Sequence, residues 1–135
     1  VGGVRVPSIR MPDGMKLYYN NLEWVPSTKF EGMTMVYTSF KRAAAIKYGI
    51  YGGKLTENLV QALAFAVMKY QGVLLQDNGF RIAANTHDEY TAVVPQEETT
   101  KRVSMMKKIM DTAPEWLPGC PLGSEVGYAK SYADC

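Results

Sequence analysis

Apolar residues recur every three or four positions between Lys54 and Asp77, and this long pattern restricts the fold more than any other segment does. The repeat matches the 3.6-residue turn of an α-helix, so the sequence predicts one helix over this range. The apolar stripe consists of Leu55, Leu59, Leu63, Ala66, Tyr70 and Val73. Asn78 and Gly79 follow directly, and such a pair commonly closes a helix because both residues tolerate the left-handed conformation.

Shorter, strand-like segments precede this helix. The turn formers Pro12-Asp13-Gly14 separate two extended runs, Val4–Met11 and Lys16–Tyr19, and therefore predict a hairpin. Met33–Thr38 is a further expected strand. The segment KRAAAIK at 41–47 has the composition of a helix, and we interpret it as a helical connector with solvated basic residues.

The second half of the chain reads as a hairpin followed by a helix. An apolar run at Ile82–Ala84 leads into His87-Asp88-Glu89, and the apolar pattern resumes up to Val94. A helix is expected after Pro95, with Val103, Met106, Ile109 and Met110 on its buried face. One last strand is predicted at Glu125–Ala129. These elements predict an α+β fold, an antiparallel sheet with helices packed on one face, as a single domain over residues 1–135.

Composition excludes several classes of protein. With 135 residues, 47% of them hydrophobic, the chain is large enough to bury a core, and disorder is not expected. A net charge of +2 is too small for a generally basic nucleic-acid binder. Cys120 and Cys135 lack the spacing of a zinc site. Polar residues interrupt Leu55–Leu75, so we expect no membrane partner and a cytoplasmic location.

The His87-Asp88-Glu89 turn contains the single histidine of the chain beside two carboxylates. The simplest interpretation is a solvated turn, since Asp is a common turn former. A carboxylate at the tip of a hairpin could also bind Mg²⁺, which prefers oxygen ligands and takes one or two from protein. Because the turn ends an apolar strand, the sheet could hold such a ligand rigidly.

Four segments, taken in order, resemble one protein family. They are PDGMKLYY at 12–19, YGGKLTENLVQALAFAV at 51–67, THDEYTAVVP at 86–95 and PEWLPGCPLGSEVGYAKSY at 114–132. Their order and content are similar to those of the palm of family A DNA polymerases, most of all the bacteriophage-type members. The resemblance covers nearly the whole chain from Pro12 onward, and it implies a DNA-directed DNA polymerase that acts on primer-template DNA and dNTP.

The resemblance also implies roles for individual residues. Asp88 would be a ligand of two catalytic Mg²⁺ ions, and Glu89 would be a supporting carboxylate. His87 would lie beside the terminal nucleotide of the primer, and Glu57 and Asn58 match primer-template contact positions. Ionised Glu57 has no donor, which puts a minor-groove contact by its side chain in doubt. Lys54 is the better candidate for a phosphate contact, and an ordinary solvated lysine is the open alternative.

Two parts of the family pattern are missing. No aspartate lies in the context of the first carboxylate motif, and no fingers helix occurs. The run KRAAAIKYGIYG at 41–52 imitates the fingers signature, but its spacing is short and it follows the first hairpin instead of preceding it. We therefore expect the C-terminal part of a palm, a split subunit or a processed piece, which is inactive without an N-terminal partner polypeptide.

Other functions stay open at this point. A palm-like module that binds DNA or protein without catalysis would also lack the first carboxylate. A free-standing metal nuclease would need more clustered acidic or histidine residues than the turn at 87–89 offers. Glu125 could approach the site from the last strand. Trp24, Trp116 and Tyr128 lie outside the basic segments and are interpreted as packing residues.

Overall fold

A computed structural model gives the structure of residues 6–134. Its elements are β1 (Ser8–Arg10), β2 (Lys16–Tyr18), β3 (Asn20–Pro26), β4 (Met33–Lys41), β5 (Ala44–Ile50), α1 (Gly52–Asp77), β6 (Arg81–Thr86), β7 (Glu89–Val93) and α2 (Thr99–Met110). Short 3₁₀ turns lie at Gln96–Glu98 and Tyr132–Asp134. The predicted α+β class is confirmed. Val4 and Arg5 of the first predicted strand, and Cys135, lie outside the described residues.

The strands form three separate antiparallel sheets in the described part of the chain, β1–β2, β3–β4–β5 and β6–β7, where the sequence predicted one sheet. The chain divides into two compact units, Val1–Leu63 and Ala64–Cys135, and the division falls inside α1. That both units act as a single domain stays a prediction.

The first unit contains the predicted hairpin β1–β2, in which Ile9 pairs with Leu17 and Gly14 takes a φ of +88° in the turn. The predicted strand at Met33–Thr38 is confirmed as part of β4. The helical interpretation of residues 41–47 is wrong, because Lys41 ends β4 and residues 44–47 belong to β5. Pairing along the whole of β5 outweighs the helix propensity of three alanines, which is a weak preference.

The second unit is built around the end of α1. Phe80 N–H donates to the Leu75 carbonyl and Gly79 N–H to the Gln76 carbonyl, while Gly79 has a φ of +77°. These two bonds form a Schellman cap, so the predicted closure at Asn78-Gly79 is confirmed. The cap turns Phe80 back onto Leu75, and both side chains are buried with Ile109 of α2.

The segment after α2 contains no strand within residues 111–134, so the strand predicted at Glu125–Ala129 is wrong. An extended run is stable as a strand only when another strand pairs with it. Polar contacts hold the beginning of this segment instead. Ser124 Oγ donates to Asp111 Oδ1 at 2.7 Å, and Lys107 Nζ lies 3.0 Å from Asp111 Oδ2. Both contacts lower the pKa of the Asp111 carboxyl.

Helix α1 is also long and apolar enough to cross a membrane, judged by length and composition only, with a mean hydropathy of 1.2 in its most apolar window. Of that window, 28% is buried. One such helix is weak evidence for a membrane span, since core helices of soluble proteins meet the same criterion.

Candidate active site

The β6–β7 hairpin brings His87, Asp88 and Glu89 together at its tip. Thr86 pairs with Glu89, so the loop consists of two residues, His87 and Asp88. His87 has a φ of +53°, and primed hairpin turns require a positive φ at the first loop residue. Histidine is one of the few residues enriched in this conformation, which explains its tolerance here. The strand-turn-strand predicted from the sequence is confirmed.

Asp88 is exposed, and its side chain makes no hydrogen bond or ion pair with any part of residues 6–134. Glu89 begins β7, and its Oε1 accepts a hydrogen bond from Thr91 Oγ1 at 3.2 Å. The tip therefore presents one carboxylate that has no protein partner and one that is engaged along its own strand. A cation arriving from solvent could bind Asp88 without breaking an existing contact.

Tyr90, one residue beyond Glu89, fixes the hairpin to α1. Its hydroxyl donates to the Met68 carbonyl at 2.8 Å. Gly72 makes this approach possible, because a Cβ at that position would lie 2.8 Å from Tyr90 Cζ and closer still to the hydroxyl oxygen. Sequence reasoning missed both positioning residues. A glycine inside an otherwise helical pattern was the available signal, since it often marks close packing.

Apolar packing gives the hairpin a firm base. Ile82 of β6 and Ala92 of β7 pack against the cluster of Leu75, Phe80 and Ile109. Buried Gln71, 3% exposed, donates from Nε2 to the Met110 carbonyl at 2.5 Å and so ties α1 to the end of α2. The base of the hairpin is therefore held against two helices through Ile82, Tyr90 and Ala92, while most other residues of β6 are exposed.

The other three predicted site residues lie in the first unit, near the start of α1. Lys54 Nζ is 2.7 Å from Glu57 Oε1, and this hydrogen bond raises the pKa of Lys54. Asn58 Nδ2 donates to the Tyr19 hydroxyl at 3.4 Å. Each of these side chains already has a partner within its own unit. A phosphate contact by Lys54 would compete with Glu57 for the ammonium group.

Residues 6–134 contain no group of three or more His, Cys, Asp or Glu side chains that could hold a metal ion. Mg²⁺ does not require such a cage, because it keeps several waters and commonly binds through one or two carboxylates together with substrate phosphates. Asp88 fits one ligand of that kind. A two-ion site would need at least one more carboxylate besides Asp88.

An apolar pocket of 390 Å³ lies within the first unit. Its wall includes Ile9, Leu22, Trp24, Met35, Ile50 and Leu55. Trp24 is 62% exposed, so its predicted packing role stays a prediction. The lining contains no charged side chain, so the pocket does not suit a phosphate group.

Comparison with known proteins shows that the chain is similar to a viral DNA polymerase. Over 127 residues, 92% of the chain, it is 27% identical to the DNA polymerase of Bacillus phage SP02. The chain spans 19% of the length of that relative. No protein-family model and no solved structure matches it. The chain is thus similar to one region of a phage DNA polymerase, along nearly all of its own length.

Proposed function

We propose that this chain is the C-terminal part of the palm of a family A DNA polymerase and takes part in template-directed DNA synthesis. The exposed, unpartnered carboxylate of Asp88, at the tip of a hairpin fixed at its base, is the observation that carries this proposal. The similarity to a phage DNA polymerase over 92% of the chain supports it.

Nucleotidyl transfer depends on alignment and charge stabilisation more than on covalent participation of the protein. Two Mg²⁺ ions would activate the 3′ hydroxyl of the primer and stabilise the charge of the departing pyrophosphate. Asp88 would bind them, and Glu89 would support it through its negative charge. The anchor at Tyr90 limits movement of the tip, so the carboxylate of Asp88 would remain in position while substrate binds.

The remaining site residues are proposed to contact nucleic acid. His87 lies beside Asp88 at the hairpin tip, and it would contact the terminal nucleotide of the primer. Lys54, with Glu57 and Asn58, would contact the primer-template duplex. Because Glu57 holds Lys54 at 2.7 Å, any phosphate contact would form by exchange of this ion pair.

The site is completed by another polypeptide in this proposal. It would supply the first carboxylate motif and the fingers, and the isolated chain would be inactive. Residues 6–134 contain no group of three metal-ligating side chains, which supports the need for further ligands.

Reconstitution tests the proposal. The chain is mixed with a polypeptide that carries the first carboxylate motif and the fingers, and primer extension is followed with and without Mg²⁺. Asp88→Asn should lower the extension rate by about 100-fold or more, since it would weaken binding of the Mg²⁺ ions whose positive charge stabilises the transition state. Asp77→Asn, at an exposed aspartate ending α1, is the matched control and should retain the rate. Equal rates for wild type and Asp88→Asn would refute the role of Asp88.

A second reading is a non-catalytic, palm-like module that binds DNA or another protein. The lack of a three-ligand metal cluster within residues 6–134 favours it. In that case the reconstituted mixture would extend no primer, and salt-sensitive DNA binding would be independent of Mg²⁺ and of Asp88.

A further inference from the structure

The outer part of the β4–β5 hairpin extends beyond its sheet. Strand β3 pairs with β4 only from Met33 to Thr38. The segment beyond Thr38 pairs with β5 alone and forms a two-stranded ribbon, residues 39–46. Every residue from 40 to 47 is exposed. This ribbon therefore has no packing partner on most of its surface within the described part of the chain.

The end of the ribbon is well defined and basic. Lys41 pairs with Ala44, so Arg42 and Ala43 form a two-residue loop, and their φ values of +49° and +65° are those of a type I′ turn. Neither Lys41 nor Arg42 makes an ion pair or side-chain hydrogen bond with residues 6–134. By contrast, Lys47 lies 2.6 Å from Glu23 Oε1, which offsets its charge.

The chemistry of this surface fits duplex DNA. Two adjacent cations without a protein partner in residues 6–134, Lys41 at the end of β4 and Arg42 in the loop, match phosphate groups. A net charge of +2 means that any attraction to DNA must come from such local placement. The major groove of DNA, about 12 Å wide, admits a two-stranded β-ribbon. Phe40 is 69% exposed beside the loop, and phenylalanine can contact thymine methyl groups there.

We propose that this ribbon is a duplex-DNA contact in which Lys41 and Arg42 bind backbone phosphates and Phe40 contacts base edges in the major groove. The proposal rests on the proposed function for its ligand, the primer-template duplex. It requires neither Asp88 nor a metal ion, so the two proposals can fail separately.

Fluorescence anisotropy with a labelled DNA duplex tests the ribbon, using the full 135-residue chain in EDTA at several salt concentrations. The double variant Lys41→Gln/Arg42→Asn removes both charges. Asn is favoured at the first position of a type I′ turn, so the fold of the ribbon should persist. Affinity at low salt should fall about tenfold or more, and the slope of log K against log salt should become shallower by about 1.8, the value for two lost phosphate contacts.

A matched variant, Lys101→Gln/Lys108→Gln, removes two exposed charges from α2 and should keep the wild-type slope. Phe40→Ala should weaken binding several-fold with no change of slope, because it removes no charge. An unchanged slope for Lys41→Gln/Arg42→Asn would overturn the proposal, and so would the absence of wild-type binding at low salt. Normal DNA binding by that variant with loss of association to the polymerase partner would assign the ribbon to a protein interface instead. Because EDTA removes divalent cations, none of these outcomes depends on metal binding by Asp88.

Discussion

The β4–β5 and β6–β7 hairpins both close with a two-residue loop and differ in the packing that supports their strands. Each has a two-residue loop with positive φ at its first residue, Arg42 in one and His87 in the other. The base of β6–β7 packs on a buried cluster and is bonded to α1 through Tyr90. The outer half of β4–β5 has only its own two strands and is exposed.

This difference suits two kinds of chemistry. A metal ligand has to be held to within about 0.5 Å, so its hairpin needs support from packed side chains. A phosphate contact through a long Lys or Arg side chain tolerates more movement, and an exposed ribbon gives those side chains free access. Support below Asp88 and exposure around Lys41 therefore agree with the functions proposed for each hairpin.

The largest expected effect comes from removing the support of β6–β7. Leu75 is fully buried, and Leu75→Ala should lower the free energy of unfolding by about 2–5 kcal/mol through lost burial and a cavity. Chemical denaturation followed by circular dichroism measures this change. Val93→Ala on β7, where the side chain is 61% exposed, is the control and should cost less than about 0.5 kcal/mol. Similar losses for both variants would mean that the cluster does not stabilise the hairpin.

A smaller loss is expected at the contact between Gly72 and Tyr90. Gly72→Ala places a methyl group against the tyrosine ring and should cost about 1–3 kcal/mol, as overpacking usually does. Tyr90→Phe should cost about 1 kcal/mol by removing the bond to Met68. Because the hydroxyl oxygen is the nearest atom, the double variant should cost less than the sum by more than about 0.5 kcal/mol. Strict additivity in this cycle would contradict the close contact.

The sequence predicted the β6–β7 hairpin correctly, whereas it predicted a helix where the outer part of the β4–β5 hairpin lies. This difference has a physical reason. Around His87, an apolar strand on each side of a polar turn leaves one arrangement that buries the apolar residues. The helix end at Asn78-Gly79 was equally clear, because its signal is local. At 41–47 the alanines favour a helix by composition, and only pairing with β4 reveals the strand. Such pairing depends on residues elsewhere in the chain and is not visible in the segment itself.

Some features of the candidate site were likewise visible in the sequence, and others were not. The sequence and the family resemblance selected Asp88 from its neighbours along the chain, and its role as a metal ligand stays a prediction. The contact of Tyr90 with the backbone of α1 was not predicted, since it joins residues 22 positions apart. The ion pair of Lys54 with Glu57 was also missed, although a three-residue spacing on a helix permits it.

A substitution in the turn of the exposed ribbon should increase the stability of the protein. Ala43 has a φ of +65°, a conformation that costs a non-glycine residue about 1–2 kcal/mol. Ala43→Gly removes this strain but adds freedom to the unfolded chain, so a net gain of about 0.5–1 kcal/mol is expected. Thermal denaturation measures it. Ala45→Gly, within β5, should have the opposite sign, because glycine weakens a strand interior. Destabilisation by Ala43→Gly would show that the turn is not formed as described.

The smallest stability effect is expected for the ion pair between Lys47 and Glu23. This pair distinguishes Lys47 from Lys41 and Arg42, which have no ion pair within residues 6–134. Both side chains are largely exposed, so Glu23→Gln should change the free energy of unfolding by less than about 0.5 kcal/mol. The same change frees the ammonium group of Lys47 for phosphate. DNA affinity at low salt should therefore rise by about twofold or more, with a slightly steeper salt dependence. A rise in affinity without a loss of stability would show that the charges of this hairpin affect DNA binding and contribute little to folding. Unchanged affinity would restrict the DNA contact to Lys41 and Arg42.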